Sequence, residues 1–399
     1  MEEQEMISKT ITEQLSKSSW IRKMFEEGSR LKAQFGAENV FDFSLGNPDL
    51  EPPKEVIEAF REISASALPG IHRYMNNAGY DSTREMVSEM LSKESGHFIN
   101  KENIIMTVGA AGALNVALKT LLDTGDEVII LAPYFVEYVT YIKNHNGIPV
   151  IVSCNQESLE PDVDKIKAAI TEKTKAIIIN SPNNPSGAVY SREILVELNE
   201  MLQAARNTIY VISDEPYKEI VFDGVKVPST LGIFTNLVVC YSWSKTLALP
   251  GDRIGFLAAS PDFEDFNNFM AGAIMANRSL GFVNAPAIMQ RVIEKSMGAK
   301  VDVESYERRC NMLYDILIEC GYKCKKPQGA LYLFPKSPIE DDIAFSAIAA
   351  KNNLLVVPGT GFGMKGYFRL TFCVDEKVIE ASKQAFVKTM EECNEFNKI

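Results

Sequence analysis

Between residues 103 and 260 the chain alternates short β-prone apolar runs with helical segments, and no other feature constrains its fold as much. Residues 104–109 (IIMTVG) read as a strand, and residues 110–122 as a helix opening directly from it. EVIILAPYF (127–135) is a second strand, followed by a helix to about residue 144. Further strands are expected at 148–154 (IPVIVSC), at the start of 175–187 (KAIIINSPNNPSG), at 208–217 (TIYVISDEPY), at 237–242 (LVVCYS) and at 255–260 (GFLAAS). Helices over 162–171 and 191–206 fall between them. Strands alternating with helices imply a mostly parallel sheet covered on both faces. The expected fold class is therefore α/β, with a three-layer large domain.

The flanks read differently. Residues 5–35 carry apolar side chains at helical spacing (Ile7, Ile11, Leu15, Trp20, Ile21, Met24, Phe25, Leu31), as an arm packing on another element would. FDFSLGNPDL (41–50) is a short strand and turn; its Gly46 either lets backbone approach a ligand or simply makes the turn. A helix begins near 52–63 with proline in its first turn, HRYMNNAGY (72–80) is a loop, and 81–95 is a helix. After Asp262 the pattern turns mostly helical, with short strands in GALYLFP, LLVVPG and FRLTF (368–372) and a last helix over 376–396. This is a smaller α+β domain. The expected boundaries are 46–285 for the large domain, with 1–45 and 286–399 forming the small one.

The 41 basic and 53 acidic residues give a net charge of -12, and no basic block interrupts the pattern. Nucleic acid and anionic membranes are thereby disfavoured as partners. The apolar runs are far too short to span a bilayer. The acidic start, MEEQEMISKT, is not a signal peptide. The seven scattered cysteines read as reduced thiols of a cytoplasmic protein. The three histidines form no ligand pair, so no metal site is expected.

Open parallel sheets bind ligands outside the carboxyl ends of their strands. Gly109, Phe135, Asn184, Asp214, Tyr217, Ser242 and Lys245 all fall at those ends. Ser242-Trp243-Ser244-Lys245 terminates a buried strand. A lysine in a partly desolvated pocket loses proton affinity and becomes a nucleophile or Schiff-base former. Taken alone, such a lysine is more often a plain surface residue. Ser242, Ser244 and Arg253 imply an anion beside the amine. So does a helix beginning at Ala110 and Ala111, whose first N–H groups and dipole favour negative charge.

SPNNPSG, SDEPY, SWSK and the downstream Arg253, in this order, resemble the fold-type I pyridoxal-phosphate enzymes. The likeness is to the class I and II aminotransferases similar to aspartate aminotransferase, and it runs from about Phe41 to the C-terminus. It implies a pyridoxal 5'-phosphate cofactor, with Lys245 as Schiff-base lysine and general base. Asp214 would pair with the pyridine nitrogen, and Tyr217 and Asn184 with the phenolic oxygen. Phe135 would stack on the ring, with Tyr134 the competing choice. Ala110, Ala111, Ser242, Ser244 and Arg253 would hold the phosphate. Tyr74 would reach the phosphate of a second subunit, which implies a homodimer.

For the substrate, the resemblance implies Arg369 as the clamp on the α-carboxylate, with Gly46 and Asn184 close by. Arg278 lies where dicarboxylate-specific relatives carry an arginine for the distal carboxylate. The spacing of ANRSLGFVNAP departs from that pattern and favours a surface or interface role. The implied activity moves an amino group between an L-amino acid and a 2-oxo acid, by a pyridoxal/pyridoxamine phosphate ping-pong cycle. A β-lyase of cysteine-type substrates shares the fold and the lysine, and stands as the alternative. A non-catalytic regulator on the same fold is disfavoured by the presence of Lys245.

Overall fold

A computed structural model describes residues 7–8, 11–12, 20–66 and 69–396. The chain divides into two compact units. The larger comprises Asn47–Arg308 and Lys326–Tyr332; the smaller comprises Met1–Gly46, Arg309–Lys325 and Leu333–Ile399.

The larger unit is built on a seven-stranded sheet. Its strands are β1 (Ile104–Thr107), β2 (Glu127–Ala132), β3 (Ile148–Ser153), β4 (Thr174–Asn180), β5 (Tyr210–Asp214), β6 (Leu237–Ser242) and β7 (Gly255–Ala259). They lie in the order β1-β7-β6-β5-β4-β2-β3. All neighbours are parallel except β7, which runs antiparallel to both β1 and β6. Successive side chains point to opposite faces, and both faces are apolar. Ile104, Met106, Ile177, Val211 and Val239 enter one buried cluster. Ile105, Ile178, Ile212, Val238 and Cys240 enter the other. A sheet buried on both sides needs helices on both sides, and the helical segments between the strands supply them. The sequence-expected α/β class is the observed one.

Several expectations shift. The strand expected over 127–135 ends at Ala132, and the one expected over 208–217 ends at Asp214. Pro216 has no N–H to extend the ladder, and Lys218 N–H turns back to the Glu215 carbonyl at 3.3 Å. Asp214 and Tyr217 therefore sit on a strand end and the turn behind it. Residues 286–308 lie in the larger unit rather than the smaller. Helix Ala287–Ser296 buries Met289, Val292 and Ile293 with Val56, Ala59 and Ile63 of helix Lys54–Ala65 and Val87 of helix Asp81–Ser95.

In the smaller unit, strand Phe41–Asp42 pairs in parallel with Leu354–Leu355. Val357–Pro358 pairs antiparallel with Phe368–Thr371. Phe43, Tyr322, Phe345, Phe368 and Phe386 form its aromatic core, with ring centroids 4.5 to 6.3 Å apart. Helix Trp20–Phe35 docks here through Leu31, which packs with Val40 and Leu355. Most of the arm expected before Trp20 lies outside the described residues. Among the described residues no helix is long and apolar enough to cross a membrane.

Candidate active site

The carboxyl ends of six strands and the amino end of β7 share one edge of the large sheet. Register aligns Thr107, Gly255 and Ser242 across it, and Asn180, Asp214 and Cys240. Gly255 makes the first corner possible. A Cβ there would lie 2.2 Å from the Tyr241 carbonyl oxygen and 2.8 Å from Gly109 Cα. Gly109 itself has φ +78, and a Cβ on it would lie 3.1 Å from Arg253 Nη2 and 3.4 Å from Ser242 Oγ.

Helix Gly109–Leu121 therefore starts against Ser242 and Arg253. Its N-cap is Val108, which provides no side-chain cap, so the first N–H groups, including those of Ala110 and Ala111, are left for another acceptor. Ser242 Oγ accepts from Ser244 N–H at 3.2 Å, lies 2.6 Å from Ser244 Oγ and donates to the Ile254 carbonyl at 3.2 Å. Arg253 donates to the carbonyls of Pro250 (2.9 Å) and Val108 (3.3 Å) and keeps an exposed guanidinium. Hydroxyls, a guanidinium and a helix N-terminus in one corner form a receptor for a phosphate-sized dianion.

Beside this corner Asp214 is buried at the end of β5. Its Oδ2 accepts from Tyr138 Oη at 2.5 Å, while Oδ1 is buried with no partner among the described residues. Burial pushes the carboxyl up to about 7, against the lowering effect of the Tyr138 hydrogen bond; the nearby Glu215 charge adds to the rise. A buried acceptor lacking a donor is costly, about 1–3 kcal/mol in typical cases. A cationic or N–H donor from a ligand could satisfy it.

Asn180 ties the next layer together. Its Nδ2 donates to the Asp214 carbonyl at 2.8 Å, and its Oδ1 accepts from Asn184 N–H at 2.7 Å. Asn184 Nδ2 donates to Tyr217 Oη at 3.4 Å, and Tyr217 Oη lies 3.2 Å from Tyr332 Oη. Gly187 shapes the Asn184 loop, since a Cβ there would lie 2.3 Å from Pro327 Cβ. Asn183 is a turn residue, accepting from Ser186 N–H and Oγ at 3.0 and 2.8 Å. Half-buried Lys245, one turn past Ser242, places Nζ 5.9 Å from the Tyr217 ring centroid. Phe135 is half-buried, with its ring edge-on to Tyr138 at 5.5 Å, whereas Tyr134 belongs to the sheet core. Lys245, Asp214, Asn184, Tyr217, Ser242, Ser244, Arg253, Ala110, Ala111 and Phe135 thus lie along one edge. Tyr74 does not join them; in the same unit it is 92% exposed.

Gly46 and Arg369 belong to the smaller unit. Arg369 is 2% exposed, donates from Nη2 to the Ser44 carbonyl at 2.8 Å and stacks its guanidinium 4.8 Å from the Phe362 ring centroid. Gly46 lies two residues beyond that carbonyl.

The family described as Aminotransferase class I and II matches residues 38–385. The chain belongs to the class I and II aminotransferases. It is similar to a crystal structure of an aminotransferase from Eubacterium rectale, at 38% identity with a TM-score of 0.94, over 98% of this chain and 100% of the other. Aspartate aminotransferase from Thermus thermophilus with maleate superposes with a TM-score of 0.83 at 28% identity, over 93% and 97% of the two chains. An aromatic-amino-acid aminotransferase of Thermococcus litoralis is 32% identical over 94% of this chain and 96% of its own. An aspartate aminotransferase of Pyrococcus horikoshii is 32% identical over 92% and 93%.

This aminotransferase also has site residues that sequence reasoning missed. Tyr138, Asn180 and Tyr332 all bond to residues singled out above. Tyr138 carried a signal, lying one helical turn beyond Phe135. Asn180 had one too, as a polar residue closing an otherwise apolar strand. Tyr332 had none, because it is remote in sequence from Tyr217.

Proposed function

We propose that this aminotransferase uses pyridoxal 5'-phosphate to move the amino group of an L-amino acid to a 2-oxo acid. The observation that carries the cofactor is the buried, partnerless Asp214 Oδ1 beside an anion-binding corner. Asp214 Oδ1 would accept from a protonated ring nitrogen, and the corner would hold a phosphate dianion. When bound, pyridoxal phosphate supplies an electron sink for the pair left on the substrate Cα.

The protein's own groups divide the remaining work. Lys245 would hold the cofactor, and its amine would take the proton from the substrate Cα. The Asp214 carboxylate would keep the ring nitrogen protonated. Tyr217 and Asn184 would bond the phenolic oxygen, and Phe135 would cover the ring. Ser242, Ser244, Arg253 and the N–H groups of Ala110 and Ala111 would hold the phosphate. Arg369 pairs with the α-carboxylate near Gly46, since a guanidinium presents two parallel donors. Exposed Tyr74 would serve a second copy of the chain in a homodimer, and the seven cysteines form no disulfide among the described residues, which suits a reducing cytoplasm.

A half-reaction tests the whole reading. The cofactor-loaded protein, given an amino acid and no 2-oxo acid, should release one equivalent of 2-oxo acid per site. Release of pyruvate, ammonia and cysteine persulfide from cystine, without that stoichiometry, would establish a β-lyase instead. Substrate choice is read from the same panel. Relatives are named for aspartate, prephenate and aromatic amino acids. Arg278 is exposed at the end of helix Phe266–Ser279. An interface role leaves aspartate and glutamate turnover nearly unchanged in Arg278→Ala; selective loss of those two assigns it to a distal carboxylate.

Arg369→Lys should lower kcat/KM for every amino acid by roughly 100-fold, as a paired, charge-assisted contact becomes a single one. Steady-state kinetics on a variant with unchanged unfolding temperature reads this directly. A change below threefold would remove Arg369 from the site.

A further inference from the structure

We infer that Tyr138 is a positioning residue that fixes the charge state of Asp214, and so the pH range over which this protein takes up its cofactor. The inference rests on the pyridoxal-phosphate reading above. Three observations meet here. Tyr138 Oη donates to Asp214 Oδ2 at 2.5 Å. The other oxygen of the same carboxyl is buried and without a partner among the described residues. Tyr138 is itself 2% exposed and pinned by the edge-on Phe135 ring at 5.5 Å.

The carboxyl is thus divided: one oxygen is committed to the protein and one is left for a ligand. The committed bond favours the ionised form, because a phenol donates better to a carboxylate than to a carboxylic acid. Burial, and after it the Glu215 charge, otherwise oppose ionisation. Cys240 lies alongside on β6, and Tyr141 is on the helix that carries Tyr138. Tyr190 and Tyr217 face the Tyr138 hydroxyl, and Lys245 Nζ is 5.9 Å from the Tyr217 ring centroid. Burial, then the Asp214 charge, hold the Tyr138 hydroxyl well above the usual phenol range. The phenol therefore stays a donor throughout the pH range in which Asp214 titrates. It is a positioning group, since it touches Asp214 and Asp214 would hold the ring nitrogen.

The test is cofactor uptake by the cofactor-free protein, measured as the Kd for pyridoxal phosphate from mildly acidic to mildly basic pH. Tyr138→Phe keeps the ring and the Phe135 contact and removes only the donor. Its acid limb should move up by about one pH unit, weakening uptake about tenfold on the acid side of neutrality. A deaza analogue, with carbon in place of the ring nitrogen, should bind the two proteins alike. An unmoved acid limb overturns the inference. So does equal weakening for both ligands at every pH, which is what a merely structural tyrosine would give. Failure of the wild-type protein to bind pyridoxal phosphate sinks the cofactor reading instead. Should Tyr138→Phe not fold, a fluorinated tyrosine introduced at position 138 alone, a stronger donor, must move the limb down; no movement overturns the proposal equally.

Discussion

Lys245→Ala is expected to lower the rate of amino transfer by about 10⁴-fold or more, because in the proposed function one side chain would both anchor the cofactor and move the Cα proton. Lys245→Arg should be no better. A guanidinium does not give up its proton in a protein and cannot act as base. A small amine added to Lys245→Ala should restore part of the rate, in proportion to its basicity, since the pocket beside Tyr217 is left open. Steady-state assays with cofactor in excess measure all three. A Lys245→Ala rate within tenfold of wild type would remove the lysine from the chemistry.

Asp214→Asn should lower kcat by about 10³-fold, the magnitude of breaking a buried charge pair by removing one partner. It should also change stability in the opposite sense. The carboxyl stands at about 7 in the folded, cofactor-free protein because of burial. In the unfolded chain it ionises near its ordinary value of about 4. The folded state thus holds this proton more tightly, so the stabilisation is fully present below about pH 4 and is lost as pH rises through about 7. Cofactor-free Asp214→Asn should therefore unfold at a higher temperature than wild type above neutrality, with the gap closing in acid. Thermal melts at several pH values check this. A variant less stable than wild type at high pH would mean that Asp214 is not strained by burial.

Such strain is common where local structure serves a ligand rather than stability. The same logic applies to Gly109 and Gly255. Neither glycine improves its helix or strand, but together they bring a helix N-terminus against Ser242 and Arg253.

Much of this was legible from local pattern. The apolar runs identify the strands, since any chain must bury them on both faces, and strand ends in a parallel sheet are where polar residues converge. LVVCYS and its following SWSK needed no neighbour to be read as a strand delivering a lysine. TIYVISDEPY misled, because β propensity continues past Asp214 while Pro216 ends the ladder. Residues 286–308 misled because helical periodicity shows that a face is buried and not which partner buries it.

By itself the sequence determined the fold class, the strand order in the chain and the residues that reach the sheet edge. These follow from short-range chemistry: side-chain period, propensity and turn residues. Tertiary structure alone decided which of those residues meet. It reversed β7, closed the Gly109–Gly255 contact and set Tyr138 on one oxygen of Asp214 while leaving the other bare. Those pairings join positions up to 154 residues apart, as from Ile104 to Ala258. No local propensity encodes contacts of that separation; only the joint packing of both sheet faces selects them.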